Sequence, residues 1–425
     1  MITPRPYQVA GIKKIKSALM SYHRAADFSD AGTGKTIKAA LALKDLNRYA
    51  IVVCPRAVVS AWELALEQCG VPGEVWTYGL ARTEKIPYGR WQVKTKRIKK
   101  YIFENVPDDA VLVYDEVQNC KGASTQNSKI LIAARQSKIP TLVLSATPAA
   151  SPAEMKALGY VLGLYPTPSD HYFWALNHGC KKGVMGGLDY YPETGGLERI
   201  HHTLAPITDR VRISDIPDFP ECDNQVQIID LPKGKSLDDD YLNLLKELQD
   251  EAEEESVAAL RIRQQIEHKK LQPIADLAQE DVERGNSVVV FLRYRNSIDT
   301  LQEHFGENAV TFHGGLSDKE RNRNHELFQS NKKHIILVQI QAGGAGIGFH
   351  DLHGERPRRS LLCAVGSANL FYQASGRIPR EGAKSKSINR MLIAGNSPEM
   401  GLLKVLTENR NALHQLTDAD LLPTL

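Results

Sequence analysis

The chain has 425 residues, of which 24% are charged and 42% hydrophobic, an ordinary balance for a globular protein. That length predicts two or three domains, with cores large enough to fold without disulfides or metals. No apolar run approaches the roughly 18 residues of a membrane span, and the six cysteines form no CxxC pair, which argues against structural zinc or a secreted disulfide framework. A net charge of +3 is too small to identify a polyanionic partner by itself.

Short apolar runs alternate with helical patterns along most of the chain. Such runs, bounded by polar or Gly/Pro residues, are typical of strands buried on both faces of a parallel sheet. They fall before residue 150 and after residue 285, so the sequence predicts an α/β fold with two doubly wound parallel sheets and a helical insertion between them. We place the lobes at 1–155 and 285–425, and the insertion at 156–284. The runs are Ala50–Cys54, Ala110–Tyr114, Thr141–Leu144, Ser287–Leu292 and His334–Val338.

The sharpest local motif is Ser29–Thr36, which follows an apolar stretch and opens a helical pattern. Gly32 and Gly34, on either side of Thr33, let backbone amides and the helix N-terminus approach a phosphate group. Lys35 is then placed to reach the β- and γ-phosphates of a nucleotide, and the Thr36 hydroxyl to bind Mg²⁺. An ordinary loop is the alternative.

A pair of carboxylates follows the predicted strand Ala110–Tyr114. Asp115 and Glu116 come at its carboxyl end, where α/β sheets place their ligands. Asp115 is expected to hold the hydration shell of Mg²⁺, and Glu116 to orient and deprotonate an attacking water. A helix N-cap has the same appearance, but a phosphate loop in the same lobe favours the catalytic interpretation.

A hydroxyl-rich turn follows the strand after that. Ser145 and Thr147 could hydrogen-bond the loop around Gln118 and relay the nucleotide state; the alternative is a plain strand-to-helix turn. Farther along, Arg377 and Arg380 lie three residues apart, a spacing that puts them on one side of a helix. They are expected to act as arginine fingers on the γ-phosphate, and a surface salt-bridge pair is the alternative.

Two segments are candidates for nucleic-acid contact. The run 94–100 has five basic residues in seven, with Trp91 and Tyr101 beside it, and is predicted to be a phosphate-binding helix. Residues 180–191 are predicted to form a hairpin around a Gly-rich turn, able to wedge a DNA junction. A solvated basic face and a plain surface hairpin are the respective alternatives. The basic residues singled out are Lys94, Lys96, Arg97, Lys181 and Lys182.

Taken together, these motifs resemble a superfamily-two helicase, and more closely its Swi/Snf-type double-stranded DNA translocase branch. The resemblance runs from Arg5 to about Ala394, and the segment from Leu197 to Arg212 is similar to the part after which that branch crosses to its second lobe. Hardly any of the chain lies outside the motor. It therefore resembles the compact phage and bacterial branch-migration or fork-remodelling helicases more than nucleosome remodellers.

The resemblance also implies roles for residues that spacing alone does not mark. Arg5, Tyr7 and Gln8 resemble an adenine-reading segment, because a glutamine amide can pair with adenine and a tyrosine ring can stack on it. Gln373 precedes the two arginines in the same motif and is expected at the nucleotide. Further residues lie in a Gly-rich coupling loop or in segments expected to touch DNA: Gly344, Gly346, Arg56, Trp62, Arg293 and His313.

The resemblance implies two RecA-like lobes that use ATP and Mg²⁺ to drive a DNA translocase or helicase. The expected partner is duplex or branched DNA, in replication, recombination or repair. We expect a monomer, no membrane, and a cytosolic location in a bacterial or phage-infected cell. Two alternatives stay open: an RNA helicase, and a non-hydrolysing, ATP-gated DNA clamp.

Overall fold

The computed structural model divides the chain into two compact units. Unit 1 holds residues 1–217 and 408–425, and unit 2 holds residues 218–407. This differs from the sequence-based boundaries, because residues 156–217 pack within unit 1 instead of forming a separate insertion, and the chain returns to unit 1 at its end. The described residues are 2–83, 85–95, 98–122, 125–183, 186–230, 257–340, 347–363, 368–395, 397, 399–400 and 411–418.

Unit 1 is built on a sheet whose described strands are all parallel, in the order β10-β1-β7-β6-β2-β3. Every residue of β6 and β7 is buried, which is why these strands appear in the sequence as unbroken apolar runs. The strands of unit 1 are β1 (Arg24–Asp27), β2 (Tyr49–Cys54), β3 (Gly73–Thr77), β4 (Gly89–Thr95), β5 (Ile98–Phe103), β6 (Ala110–Asp115), β7 (Thr141–Leu144), β8 (Cys180–Lys182), β9 (Leu188–Tyr190) and β10 (Thr208–Asp209).

The strand order brings the predicted motifs of unit 1 together. Strands β1, β7 and β6 are neighbours, and their registers place Asp27, Leu144 and Asp115 at one level. The loops that follow these strands therefore meet at one edge of the sheet. The helices of unit 1 are α1 (Pro6–Tyr22), α2 (Lys35–Asp45), α3 (Val59–Cys69), α4 (Tyr78–Ala81), α5 (Gln126–Gln136), α6 (Lys156–Val161), α7 (His171–Asn177) and α8 (Gly196–Leu204).

Two antiparallel hairpins lie outside this sheet. The prediction of a basic helix at 94–100 is wrong, because β4 and β5 pair there as a hairpin, with Trp91 opposite Tyr101 at a ring-centroid distance of 5.1 Å. Cross-strand aromatic pairs of this kind stabilise a pair of strands. The hairpin predicted at 180–191 is confirmed, as β8 pairs with β9.

Unit 2 has a second sheet of parallel described strands, in the order β11-β16-β15-β12-β14-β13. Apolar clusters cover both faces of β12. The predicted α/β class with two parallel-sheet lobes is therefore confirmed. The elements are β11 (Cys222–Ile229), α9 (Val257–Lys269), α10 (Leu271–Glu283), β12 (Ser287–Leu292), α11 (Arg295–Phe305), β13 (Ala309–Phe312), α12 (Asp318–Gln329), β14 (Ile335–Gln339), β15 (Arg358–Cys363), α13 (Ala368–Ser375) and β16 (Ser387–Ala394).

Within the part of the chain that the structure describes, no helix combines the length and apolarity needed to cross a bilayer.

Candidate nucleotide site

The loop between β1 and α2 has the backbone of a phosphate cradle. Gly32 and Gly34 adopt φ angles of 87° and 79°, in the left-handed region that favours glycine. A side chain on Gly34 would also lie 2.4 Å from the Gln8 amide nitrogen. No side chain caps the N-terminus of α2 at Gly34, so the first amides of the helix are available to an anion. The loop therefore fits a nucleotide phosphate.

Lys35 lies within this loop. Its ammonium donates to the carbonyl oxygens of Ser29, at 2.8 Å, and Asp30, at 3.0 Å. Burial lowers the pKa of Lys35, while the nearby charges of Asp27, Glu116 and Asp115 act in the opposite direction. Because only backbone carbonyls hold the ammonium in these two hydrogen bonds, a phosphate could replace them without breaking an ion pair.

Asp115 ends β6 and is buried at the sheet edge. Its carboxylate accepts hydrogen bonds from the Trp62 indole, at 2.8 Å, and from the Glu116 amide, at 2.9 Å. Burial, reinforced by the charge of Glu116, raises the pKa of Asp115 to about 6. A buried carboxylate that is costly to ionise is a natural ligand for a cation, because the charge of the cation offsets that cost.

Glu116 has a strained backbone, with φ 53° and ψ 53°. Non-glycine residues seldom adopt this left-handed conformation, and it persists only where the surroundings enforce it. Here the Tyr78 hydroxyl donates to the Asp115 carbonyl oxygen, at 2.8 Å, and fixes the preceding peptide. The left-handed conformation turns the chain at Glu116 away from the direction of β6, which ends at Asp115.

A hydrogen-bonded chain links Glu116 to the next strand. The Gln118 amide donates to the Glu116 carboxylate at 2.7 Å, and the Ser145 hydroxyl donates to the Gln118 oxygen at 2.6 Å. The Thr147 amide in turn donates to the Ser145 hydroxyl at 2.9 Å. The predicted contact between the Ser145 turn and the Asp-Glu loop is thus confirmed, with Thr147 taking part through its backbone.

Gln8 connects the N-terminal segment to the phosphate loop. Its side-chain oxygen accepts from the Arg5 amide at 3.0 Å, and its side-chain nitrogen donates to the Thr33 carbonyl at 3.1 Å. The residue is 3% exposed, and Tyr7 beside it is half-buried. These contacts place the predicted adenine-reading segment against the loop.

The arginine motif of unit 2 lies in a turn. Helix α13 ends at Ser375, so the expectation that Arg377 and Arg380 lie on one helix is wrong; Pro379 is incompatible with a continuing helix. Arg377 is 3% exposed, and its guanidinium donates to the Ile347 carbonyl at 3.2 Å. Gln373 and Arg380 are half-buried, whereas Gly344 and Gly346 lie outside the described residues.

Two of the predicted nucleic-acid contacts are corrected. Trp62 is completely buried against Asp115, and His313 is 2% exposed with its Nδ1 atom close to the Arg295 guanidinium, at 2.5 Å. Side chains without accessible surface cannot touch a nucleic acid in this conformation. Arg56, Lys181 and Lys182 are exposed and Arg293 is half-buried, while Lys96, Arg97 and the Lys94 side chain lie outside what the structure describes.

Sequence reasoning missed an ionic cluster beneath the phosphate loop. Lys38, on α2, is completely buried and pairs with Asp27, at 2.8 Å, and with Asp209 of β10. Its ammonium also donates to the Ser29 hydroxyl at 2.8 Å. A lysine directly before the apolar run Ala39–Leu43 and three residues after Lys35 was the available signal, because a buried lysine requires a carboxylate partner.

Similarity to known proteins extends over nearly the whole chain. Residues 269–382 match the family described as "Helicase conserved C-terminal domain". Over 98% of its length, the chain is 30% identical to a candidate ATP-dependent RNA helicase of Acanthamoeba polyphaga mimivirus and covers 84% of that protein.

Solved structures with the same fold include two of S. cerevisiae Dbp5 bound to RNA and ADP BeF3, one of them a single-residue variant. Their TM-scores are 0.52 and 0.51, with 13% and 12% identity over 95% of this chain and 91% of theirs. The Sulfolobus solfataricus SWI2/SNF2 ATPase core in complex with dsDNA aligns over 98% of this chain and 97% of its own, at 16% identity. Its TM-score of 0.39 is too low to support a conclusion.

Proposed function

This chain belongs to the superfamily-two helicases, ATP-dependent enzymes that act on nucleic acids, and from that premise we propose that it is a motor that moves along duplex or branched DNA. The observation that carries the ATP-hydrolysing part of the proposal is the edge of the unit 1 sheet. There the phosphate loop, the Asp115–Glu116 pair and the Ser145 turn follow three neighbouring strands.

Nucleotide binding is assigned to the phosphate loop and the strand ends beside it. Lys35 would bind the phosphates, and Thr36 and Asp115 would hold the Mg²⁺ ion that this superfamily usually requires. A bound Mg²⁺ supplies positive charge that stabilises the phosphate oxygens. Gln8 is assigned to the base of the nucleotide because of the resemblance, and its amide, which in this conformation is bonded to the Arg5 amide and the Thr33 carbonyl, would exchange one of these bonds for the base.

Glu116 is assigned as the group that orients and deprotonates the attacking water. The Gln118 amide fixes its carboxylate at 2.7 Å, and the strained backbone sets the direction of the side chain. Through Gln118, the Ser145 turn would sense whether Glu116 is engaged. Arg377 and Arg380 are assigned to the phosphate charge that develops during hydrolysis, the role of arginine fingers in related chemistry.

An RNA duplex is the second candidate substrate. It is favoured by the mimivirus relative, whose name describes an RNA helicase. DNA is favoured by the resemblance of Leu197–Arg212 to the Swi/Snf branch. The β8–β9 hairpin suits either duplex, because Lys181 and Lys182 are exposed and the Lys181 ammonium lies 4.4 Å from the Tyr191 ring centre.

The first test is Glu116→Gln. We expect hydrolysis to fall by about 100-fold or more, because the amide cannot accept a proton, while ATP affinity is spared. Glu104→Gln is the matched control, since Glu104 is an exposed carboxylate of the same unit that pairs with Arg90 of the β4–β5 hairpin at 2.7 Å. Hydrolysis by the Glu116 variant at a rate comparable to wild type would remove Glu116 from this role.

The substrate is tested by measuring hydrolysis without nucleic acid, and then with single-stranded DNA, linear duplex DNA, a four-way DNA junction and duplex RNA. Strongest stimulation by the junction supports fork or branch remodelling, and charge removal at Lys181 and Lys182 should then weaken the stimulation. Stimulation by RNA alone would replace the DNA proposal with the RNA one. No stimulation by any of them would reject the motor.

A further inference from the structure

The end of the described chain packs against unit 1, although the preceding 190 or so residues belong to unit 2. In this C-terminal segment, residues 411–418, Ala412 and Leu416 are buried. The Leu416 carbonyl accepts a hydrogen bond from His201 of α8 at 2.9 Å, and the Tyr190 hydroxyl donates to Gln415 at 3.4 Å. The segment is thus anchored on the part of unit 1 that leads into β10.

The segment ends in a carboxylate that two arginines share. Asp418 accepts from Arg210 Nε at 2.8 Å and Nη2 at 2.9 Å, and from Arg212 Nε at 2.7 Å. Only 4% of its side chain is exposed. Burial alone would raise the pKa of Asp418, but the hydrogen bonds and charges of Arg210, with Arg212 and Thr417, lower it to about 2. The carboxylate is therefore ionised throughout the physiological range.

The other edge of Arg210 faces the phosphate loop. Its Nη1 atom donates to the Asp30 carboxylate at 2.7 Å and to the Phe28 carbonyl at 2.6 Å. The Ile213 amide donates to the second oxygen of the same carboxylate at 2.9 Å. The Asp30 carbonyl is one of the two that hold the Lys35 ammonium, at 3.0 Å. A continuous path of hydrogen bonds thus runs from Asp418 to the phosphate-binding lysine.

A guanidinium is a rigid, planar fork, so fixing one edge fixes the direction of the other. From this geometry we propose that Asp418 is a positioning residue for the phosphate loop, which it sets through Arg210 and Asp30. The inference rests on the proposed function, since it assigns this loop to ATP. Asp418 itself touches neither the loop nor the nucleotide. A segment at the end of the chain thereby controls the affinity of a site at its beginning.

The test compares Asp418→Asn with Asp418→Glu and Asp215→Asn in the full chain. Asparagine has no charge and only one acceptor oxygen for the arginines. We therefore expect the Kd of a fluorescent ADP analogue and the KM for ATP to rise about tenfold, with kcat changed much less. Glutamate keeps the charge and should restore most of the affinity. Asp215 pairs with the same Arg212 at 3.3 Å but is half-exposed, so its variant should bind as wild type does.

Hydrogen exchange of residues 28–36 gives a readout that does not depend on hydrolysis. The proposal predicts faster exchange there in Asp418→Asn and no change in Asp215→Asn. If Asp418→Asn fails to fold, Asp30→Asn cuts the same path at a half-buried residue and should weaken ADP binding equally. Unchanged ADP affinity and exchange in the folded variants would overturn the proposal, as would equal damage by the glutamate variant.

Failure of the proposed function is a separate outcome. If the wild-type chain hydrolyses no ATP with any nucleic acid, the motor is rejected. The exchange of residues 28–36 in the wild type and in Asp418→Asn still decides whether Asp418 positions the loop.

Discussion

Each unit contains a completely buried lysine, and the two are used differently. In unit 1, the Lys38 ammonium lies between two carboxylates, Asp27 and Asp209, and donates to the Ser29 hydroxyl. In unit 2, the Lys270 ammonium contacts both oxygens of Glu399, at 2.8 and 2.9 Å, and the Leu392 carbonyl at 3.2 Å. The first cluster sets two carboxylates against one ammonium, whereas the second is a one-to-one pair.

The location of each cluster explains the difference. Lys38 lies directly below the phosphate loop, and each of its partners ends a strand of the sheet or belongs to the loop. Lys270 precedes α10, and Glu399 also accepts from the Ala394 amide, at the end of β16, at 2.8 Å. Burying charges costs more than their pairing returns unless every group is satisfied. A cluster with more carboxylates than ammonium groups next to a binding site therefore indicates a function, whereas a one-to-one pair indicates a structural role.

The largest effect is expected from Lys38→Met. It leaves two buried carboxylates without their cation, at a cost of about 3–5 kcal/mol in unfolding free energy. ATP hydrolysis should be lost as well, because Ser29 and β10 are no longer held beneath the loop. All four tryptophans, Trp62, Trp76, Trp91 and Trp174, lie in unit 1, so their fluorescence during denaturation measures the stability of that unit.

Lys44→Met, on the last turn of the same helix and outside the cluster, is the control for this variant. It should retain both stability and hydrolysis. If Lys38→Met binds ATP as tightly as the control, the cluster has a structural role only, and the contrast with Lys270 disappears.

The second prediction concerns Lys270 and Glu399 together. Lys270→Met alone leaves the buried Glu399 carboxylate without its cation and should destabilise unit 2 by about 3 kcal/mol. The double variant Lys270→Met, Glu399→Leu removes both charges and should recover most of that loss. Because unit 2 holds no tryptophan, hydrogen exchange along β12 and β16 is the appropriate measurement. ADP affinity should stay at the wild-type value in both variants; a parallel loss of affinity would show that this pair also serves the nucleotide site.

The five strands that the sequence predicted lie within one residue of their observed bounds, and the reason is physical. A parallel strand covered on both faces must be apolar throughout, so Thr141–Leu144 and Ser287–Leu292 were located to the residue. The β4–β5 hairpin was missed because the prediction followed the run of basic residues at 94–100, while Trp91 and Tyr101 meet only after the chain has turned. Strand β10 has only two residues and pairs with β1 from more than 180 residues away, so no local pattern could mark it.

The candidate site was predictable where a motif is local and not where its support is distant. Asp115 and Glu116 follow a strand that sequence alone identifies, Lys35 lies in a local glycine-rich motif, and their loops meet because the strands before them belong to one sheet edge. The buried partners, Asp209 and Asp418, depend on the tertiary path of the chain. Their charges are unremarkable in the sequence, since an aspartate on a surface loop has the same local pattern.

The smallest and sharpest test of the comparison is Asp209→Asn. Burial, with the charge of Asp27 adding to it, raises the pKa of Asp209 above its ordinary value of 3.8, although Lys38 acts against this. The folded state therefore holds the proton more tightly than the unfolded chain, and ionised Asp209 lowers stability at neutral pH. Asparagine removes that penalty and still accepts from Lys38, so the variant should match or exceed wild type, by no more than about 1 kcal/mol.

The sign of the pH dependence separates this interpretation from a simple ion pair. As the pH falls through the raised pKa of Asp209 towards 3.8, the Asp209 carboxylate takes up a proton and wild type gains stability relative to the variant. The difference in unfolding free energy between the two proteins therefore shrinks. Tryptophan fluorescence during denaturation, at neutral and at mildly acidic pH, measures it. An ordinary ion pair would give the opposite result, with the variant less stable at neutral pH and the gap narrowing only because wild type weakens. In that case the ion pairs of Lys38 and Lys270 would have the same structural role, and the second carboxylate below the phosphate loop would have no function of its own.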